Sequence, residues 1–245
     1  MRLLDRIADL LWPRVCAVEG CARVSDRAGR HLCSHCLAAL PFHRTTGVCR
    51  VCGTPVAADV RHDFVCETCQ TTPPAYARAR SALQYAAPVD QLVQAFKFNR
   101  ATWLCEDFAD LLEGAVRALF AWSEIDVVVP VPLHPNRLRE RGYNQSTLLA
   151  RSLARRLNRR LDAAALVRAR DTAHQARLRG EARRRNMAKG VFAVAAPPWV
   201  RGRTVLLVDD VMTTGATLSR CAEPLLAAGA SRVWCVTLAR AVMRK

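Results

Sequence analysis

A mostly parallel α/β sheet preceded by a small cysteine-rich domain is the fold class this sequence predicts. Three observations predict it. Strand-type apolar runs alternate with stretches of helical spacing from residue 77 onward. Eight of the 11 cysteines fall in four close pairs within the first 69 residues. Between the two regions, Thr71-Thr72-Pro73-Pro74 makes a stiff polar break. The expected division is a cysteine-rich domain at 1–72 and an α/β domain at 73–245, and 245 residues suffice for both.

The elements follow in order. Residues 77–86 read as a strand. Residues 88–98, with Leu92 and Phe96 four apart, read as a helix, as do 103–121 with Leu104, Phe108, Leu111, Leu112, Ala115 and Leu119. The run IDVVVPVPL gives a buried strand over 126–130 that ends in prolines. A helix over 144–160, capped by Asn144, sets Leu148, Leu149, Leu153 and Leu157 on one face and Arg151, Arg155 and Arg159 on another. Residues 165–168 and 190–195 are short strands around a polar stretch. VLLVD at 205–209 is a second buried strand, 215–229 a helix closed by Gly229, and 233–239 the last strand.

The cysteine pairs are Cys16/Cys21, Cys33/Cys36, Cys49/Cys52 and Cys66/Cys69. Their spacings suit metal knuckles, and Gly53 after Cys52 suits a tight knuckle turn. Disulfides are the competing use; a reducing compartment disfavours them. We read two four-cysteine zinc sites, structural in kind because four thiolates leave no open position. Sequential pairing has loop lengths typical of ribbons, and an interleaved pairing fits the same spacings. His31, His35 and His62 are bystanders on this reading. Cys105, Cys221 and Cys235 sit in apolar patterns and read as core residues.

The formal charge is +16, and two such zinc sites would lower it to about +12. The excess is concentrated: residues 137–190 hold 15 Arg and one Lys against Glu140, Asp162, Asp171 and Glu181. That suits polyanions, either nucleotide phosphates or a nucleic-acid backbone; a solvated basic surface is the alternative. Base-stacking aromatics make up only 6% of the chain, so phosphate contacts should dominate over stacking. No apolar run approaches the ~20 residues of a membrane span. The N-terminal MRLLDRIADLLWPRVC carries Asp5 and Asp9 where a signal peptide would be apolar, so a cytoplasmic protein is expected.

The sharpest motif is VLLVDDVMTTGAT at 205–217. A buried strand delivers Asp209 and Asp210 to its C-terminal edge, where open α/β sheets bind ligands. Thr213, Thr214, Gly215, Ala216 and Thr217 then open a helix. Small residues let backbone N–H groups approach a phosphate, and the helix N-terminus favours an anion. Acceptors for sugar hydroxyls beside a phosphate cradle match a ribose 5-phosphate.

This segment resembles the phosphoribosyl pyrophosphate (PRPP) motif of type I phosphoribosyltransferases, and the wider chain is similar to the ComF family of competence-associated proteins. Four features carry the resemblance together: the double cysteine-knuckle N-terminus, PVPLHPNRLRERGYNQ at 130–145, HQARLRGEARRRNMAKGVF at 174–192, and the PRPP motif. It implies a type I phosphoribosyltransferase-like sheet with helices on both faces. Asp209 and Asp210 would hold the ribose 2′- and 3′-hydroxyls, with Mg²⁺ accompanying PRPP, and Thr213–Thr217 would hold the 5-phosphate. The loop after the 126–130 strand would take pyrophosphate through Arg137, Arg139 and Arg141. Lys97, in AFKFNR, stands near the site mouth or is a surface lysine. Residues 170–189 would form a mobile loop with His174, Gln175, Arg183, Arg184, Asn186 and Lys189 as candidates; no catalytic residue is singled out. The chemistry implied is displacement of pyrophosphate at the anomeric carbon through an oxocarbenium-like state. The family further implies a role in natural transformation, with single-stranded DNA and other DNA-uptake proteins as partners. Two functions follow: a PRPP-binding module that handles DNA, or an active transferase acting on an unidentified nucleophile.

Overall fold

The computed structural model describes residues 13–56, 64–168, 191–194 and 199–241. The N-terminal region contains two similar halves. In the first, Val15 bridges Val24 and helix α1 (Ser34–Ala38) opens directly behind Cys33. In the second, Val48 bridges Pro55 and helix α2 (Glu67–Thr71) opens directly behind Cys66.

The rest of the chain builds β1 (Arg78–Gln84), α3 (Val89–Phe98), α4 (Cys105–Leu119), β2 (Val127–Pro130), α5 (Pro135–Arg141) and α6 (Gln145–Leu157). Then come β3 (Arg160–Leu161), β4 (Leu166–Arg168), β5 (Phe192–Val194), β6 (Thr204–Met212), α7 (Ala216–Ala227) and β7 (Arg232–Arg240). Five strands form one parallel sheet in the order β1-β7-β6-β2-β3. Strands β4 and β5 pair antiparallel in a separate ribbon.

The near-continuous apolar runs of β2, β6 and β7 arise because both sheet faces are covered. Alternate residues feed two cores. Val128, Leu206, Val208, Trp234 and Val236 join α3, α4 and α6 on one face. Val127, Val129, Val205, Leu207 and Cys235 join α7 on the other. Cys221 and Cys235 are fully buried core residues, as the sequence predicts. Cys105, the first residue of α4, is half-buried, and burial pushes its thiol up to about 11.

The cysteine-rich region clamps the edge of this sheet. The outer edge of β1 is paired by the 41–51 segment: His43 N–H donates to Ala82 O at 2.9 Å, Gln84 N–H to Pro41 O at 2.8 Å and Ala79 N–H to Val51 O at 2.7 Å. An open edge strand is thereby satisfied. On the α4 side, Arg27 and Arg30 reach Asp110 Oδ2, each at 2.6 Å. Asp107, with no side-chain exposure, accepts from Arg27 at 3.1 Å, from His31 N–H at 2.9 Å and from Leu32 N–H at 3.1 Å. On the other side, the buried Arg240 donates to Cys52 O and Thr54 Oγ1, both at 2.6 Å, and the buried Arg80 donates to Arg50 O at 3.1 Å.

Three elements differ from expectation. Residues 135–141 form helix α5 rather than loop, because Pro135 sits at its first turn, His134 Nδ1 accepts from Asn136 N–H, and Gly142 closes it at φ 81°. Helix α6 stops at Leu157, where Asn158 turns left-handed, and the next residues become edge strand β3. Of the arginine row expected on α6, Arg151 is exposed, Arg155 pairs with Glu106 at 2.8 Å, and Arg159 lies beyond the helix end, where it donates to the backbone Ser123 O at 3.1 Å.

Candidate functional site

Strand β6 lies between β7 and β2, so its C-terminal edge opens at the middle of the sheet. Its last residues carry the two carboxylates. Asp209 Oδ1 accepts from Ser146 Oγ at 2.7 Å and from the Asp210 N–H at 2.9 Å. Ser146 comes from the first turn of α6, which Asn144 caps by accepting from the Ser146 N–H. Asp210 is 4% exposed. Its Oδ1 meets Lys97 Nζ at 2.9 Å, while its buried Oδ2 has no hydrogen-bond partner among the described residues. Burial, and then the charge of Asp210, push the Asp209 carboxyl up to about 7.

The turn after β6 exposes Thr213, Thr214, Ala216 and Thr217 around the buried Gly215. Gly215 sits at φ 85° as the N-cap of α7 and has no side chain to cap it, while Thr214 Oγ1 accepts from the Ala216 N–H at 3.4 Å. A Cβ here would come within 2.6 Å of Met212 Cε and of the Tyr76 hydroxyl oxygen. Glycine is therefore required by both backbone and space. The first turn of α7 starts at the carboxylate pair's end of the sheet, where its N–H groups and dipole favour negative charge.

Beyond Lys97 a small cavity of about 110 Å³ is lined by Lys97, Phe98, Arg100, Arg137, Glu140 and Arg141. Arg141 lies 4.9 Å over the Phe98 ring and donates to Gln145 Oε1. Arg137 pairs with Glu140 at 3.3 Å, and Arg139 turns aside to Asn136 Oδ1 at 2.6 Å. The structure thus brings Lys97, Arg137 and Arg141 together and leaves Arg139 out. Residues 170–189 lie outside the described residues, and with them His174, Gln175, Arg183, Arg184, Asn186 and Lys189. Sequence reasoning missed Ser146 and Arg100. Nothing in the pattern marks Ser146 beyond its place behind a helix cap. Arg100 stands out only by its left-handed φ of 54°.

The eight cysteines gather sequentially. Cys16, Cys21, Cys33 and Cys36 form one cluster, and Cys49, Cys52, Cys66 and Cys69 the other, with all sulfurs of a cluster within 4.8 Å of one another. Sulfur separations of 4.0 Å (Cys21–Cys33) and 3.7 Å (Cys52–Cys66) approach the ~3.8 Å edge of a zinc tetrahedron. The Cys36 N–H donates to Cys33 Sγ and the Cys66 N–H to Cys49 Sγ, each at 3.4 Å. Without a cation, burial and then the neighbouring thiols push Cys36 and Cys69 well above the ordinary thiol value. These donors fit a tetrahedral dication.

Comparison with known proteins agrees with both halves. The double zinc ribbon domain family matches residues 7–70, and the phosphoribosyl transferase domain family matches residues 143–244. The DNA utilization protein YhgH of Escherichia coli O6:H1 is 35% identical over 210 residues, covering 84% of this chain and 89% of that protein. Competence protein F of Haemophilus influenzae is 32% identical over 220 residues, covering 86% and 90%. The chain belongs to the ComF family. Competence protein ComFC of Bacillus subtilis is also similar, at 27% identity over 85% of this chain and 84% of its own. The parallel sheet flanked by helices on both faces, behind two four-cysteine ribbons, is the architecture of this ComF chain. Among its described residues, no helix is long and apolar enough to cross a membrane.

Proposed function

We propose that this ComF-family chain binds PRPP or a related ribose 5-phosphate with Mg²⁺ and acts in DNA uptake by handling single-stranded DNA in the cytoplasm. We assign the ribbon domain to 1–72, with one zinc ion per cysteine cluster, and the ligand-binding domain to 73–245. The observation that carries the ligand is the Asp209–Asp210 pair beside the glycine-opened first turn of α7. Asp209 and Asp210 accept from the ribose hydroxyls, and the N–H groups and hydroxyls of Thr213–Thr217 hold the 5-phosphate. The buried Oδ2 of Asp210, without a hydrogen-bond partner among the described residues, suits a hydroxyl or a cation. Mg²⁺, when bound, supplies positive charge to the diphosphate. The names of the relatives, a DNA utilization protein and competence proteins, support the DNA part of the reading.

A second reading, turnover of PRPP onto an unidentified nucleophile, is favoured by the cavity beside Lys97. Lys97, Arg100, Arg137 and Arg141 offer a departing pyrophosphate a cationic place next to the sugar site. Calorimetry of PRPP with Mg²⁺ tests the first reading. Each charge-assisted hydrogen bond contributes about 1.5–3 kcal/mol. The Asp209→Asn/Asp210→Asn double variant should therefore bind more than roughly tenfold more weakly. Equal affinity would put the ribose elsewhere, and pyrophosphate release without added acceptor would favour the second reading.

A further inference from the structure

We propose that the amino-terminal edge of the sheet, opposite the carboxylate pair, is a docking surface for single-stranded nucleic acid, built from arginine–tryptophan stacks. This rests on the nucleic-acid part of the reading above and names its surface.

Ligands of parallel α/β sheets bind at the carboxyl edge of the strands, so the opposite edge has no assigned work. Here that edge carries an alternating ladder of cations and aromatic rings. Arg117 lies 4.5 Å over the Trp122 ring, and Arg159 lies 5.7 Å from the same ring. The next residue, Arg160, opens β3 and lies 3.7 Å over Trp199. Trp199 precedes β6 and is 48% exposed even with Arg160 against it. The low aromatic content of the chain predicts little stacking, yet two of its five tryptophans are stacked by arginine on this edge.

The charges favour a polyanion. Arg203 and Arg232 are matched by Asp126 at 3.5 Å and Glu124 at 2.8 Å, and Arg117 by Glu113 at 2.9 Å. Arg159, Arg160 and Arg201 have no carboxylate partner among the described residues, and the Arg159 Nε–H has no acceptor there. Three guanidinium groups without a carboxylate partner among the described residues, one of them stacked on a half-exposed indole, match the two demands of an unpaired strand: phosphate contacts along the backbone and a flat ring for an unstacked base. A duplex hides its base faces and has no use for the rings. The α6 row is a poorer track, because Glu106 neutralises Arg155. Strand β6 separates the two edges by about 25 Å at the usual rise per residue, so strand and sugar phosphate occupy the protein together without competing.

The test is the binding of a labelled oligo-dT strand to the full chain as salt is raised. Each phosphate contact contributes about 0.7 to the slope of log affinity against log salt. The Arg159→Gln/Arg160→Gln/Arg201→Gln variant should flatten that slope by about two, with zinc content and melting temperature unchanged. Trp199→Ala should weaken binding at least about fivefold, and Trp199→Phe and Arg160→Lys, which keep ring and charge, should stay close to wild type. An Arg137→Gln/Arg139→Gln variant at the other edge should leave the slope alone. Wild-type binding that the edge variants leave intact overturns the surface and spares the DNA reading. A wild type that ignores the strand overturns both. A slope flattened only by the Arg137/Arg139 pair moves the strand to the carboxyl edge and overturns the proposal.

Discussion

Lys97 is the one lysine among the described residues, where every other Lys/Arg-type cation is an arginine. An ammonium is a compact point charge, and a guanidinium fork would not enter the gap beside Asp210 with the same single contact. Its sequence neighbourhood left open whether it was a surface residue; the ion pair with a buried carboxylate could not be read from spacing, since 112 residues of chain lie between the two partners. Asp209 and Asp210 were legible, because a buried strand that ends in two acids has to deliver them to the sheet edge. The Asp209 carboxyl has a testable titration. It is raised from 3.8 to about 7, so in the folded protein it keeps its proton while the unfolded chain has lost it. Stability from this group is therefore greatest below 3.8 and declines as pH rises to about 7, and it is flat above. Urea unfolding across that window should show the decline in wild type and lose it in Asp209→Asn. An unchanged slope would place Asp209 in water. Binding of Mg²⁺ with PRPP should for the same reason strengthen as pH rises through about 7.

Elements were legible where periodicity was long, as in α3, α4, α7 and the three buried strands. Helix α5 was missed because seven residues give no apolar stripe, although Pro135 and Gly142 bracket it with ordinary start and stop chemistry. Strand β3 was missed because two edge residues carry no alternation. The attachment of the ribbon to α4 was not legible either: Glu106, Asp107 and Asp110 look like a helix's acidic first turn. In the fold, Asp107 and Asp110 receive Arg27 from the ribbon, and Glu106 and Asp110 receive Arg156 from α6. Asp107 is the keystone, because it satisfies two backbone N–H groups as well as a guanidinium. Its removal leaves those donors buried and unpaired, at a cost of about 3–5 kcal/mol. Asp107→Ala should lower the melting temperature and speed zinc loss to a chelator from the first cluster more than from the second. Equal rates from both clusters would mean that the ribbon holds itself without α4.

At the scale of the molecule, the ribbons and the sheet depend on each other through charge. Arg80 and Arg240 are buried without a carboxylate partner among the described residues, and burial lowers Arg80 to about 10. Four thiolates around one zinc ion carry a net double negative charge, and the second cluster lies beside both arginines. Metal analysis should find two zinc ions per chain, and stripping them should unfold the sheet edge as well as the ribbons, because two buried cations then lose their counter-charge. A metal-free chain with an unchanged melting transition would refute this coupling. The overall architecture was legible because its signals are redundant along the sequence; the clamp was not, because it joins residues far apart that carry no shared pattern. The most direct test of the ligand site is a crystal structure of the chain grown with PRPP and Mg²⁺. The 5-phosphate should lie on the first turn of α7 and the ribose hydroxyls within hydrogen-bond distance of Asp209 and Asp210. Ligand density elsewhere on the molecule, with that turn and the carboxylate pair unchanged, would contradict it.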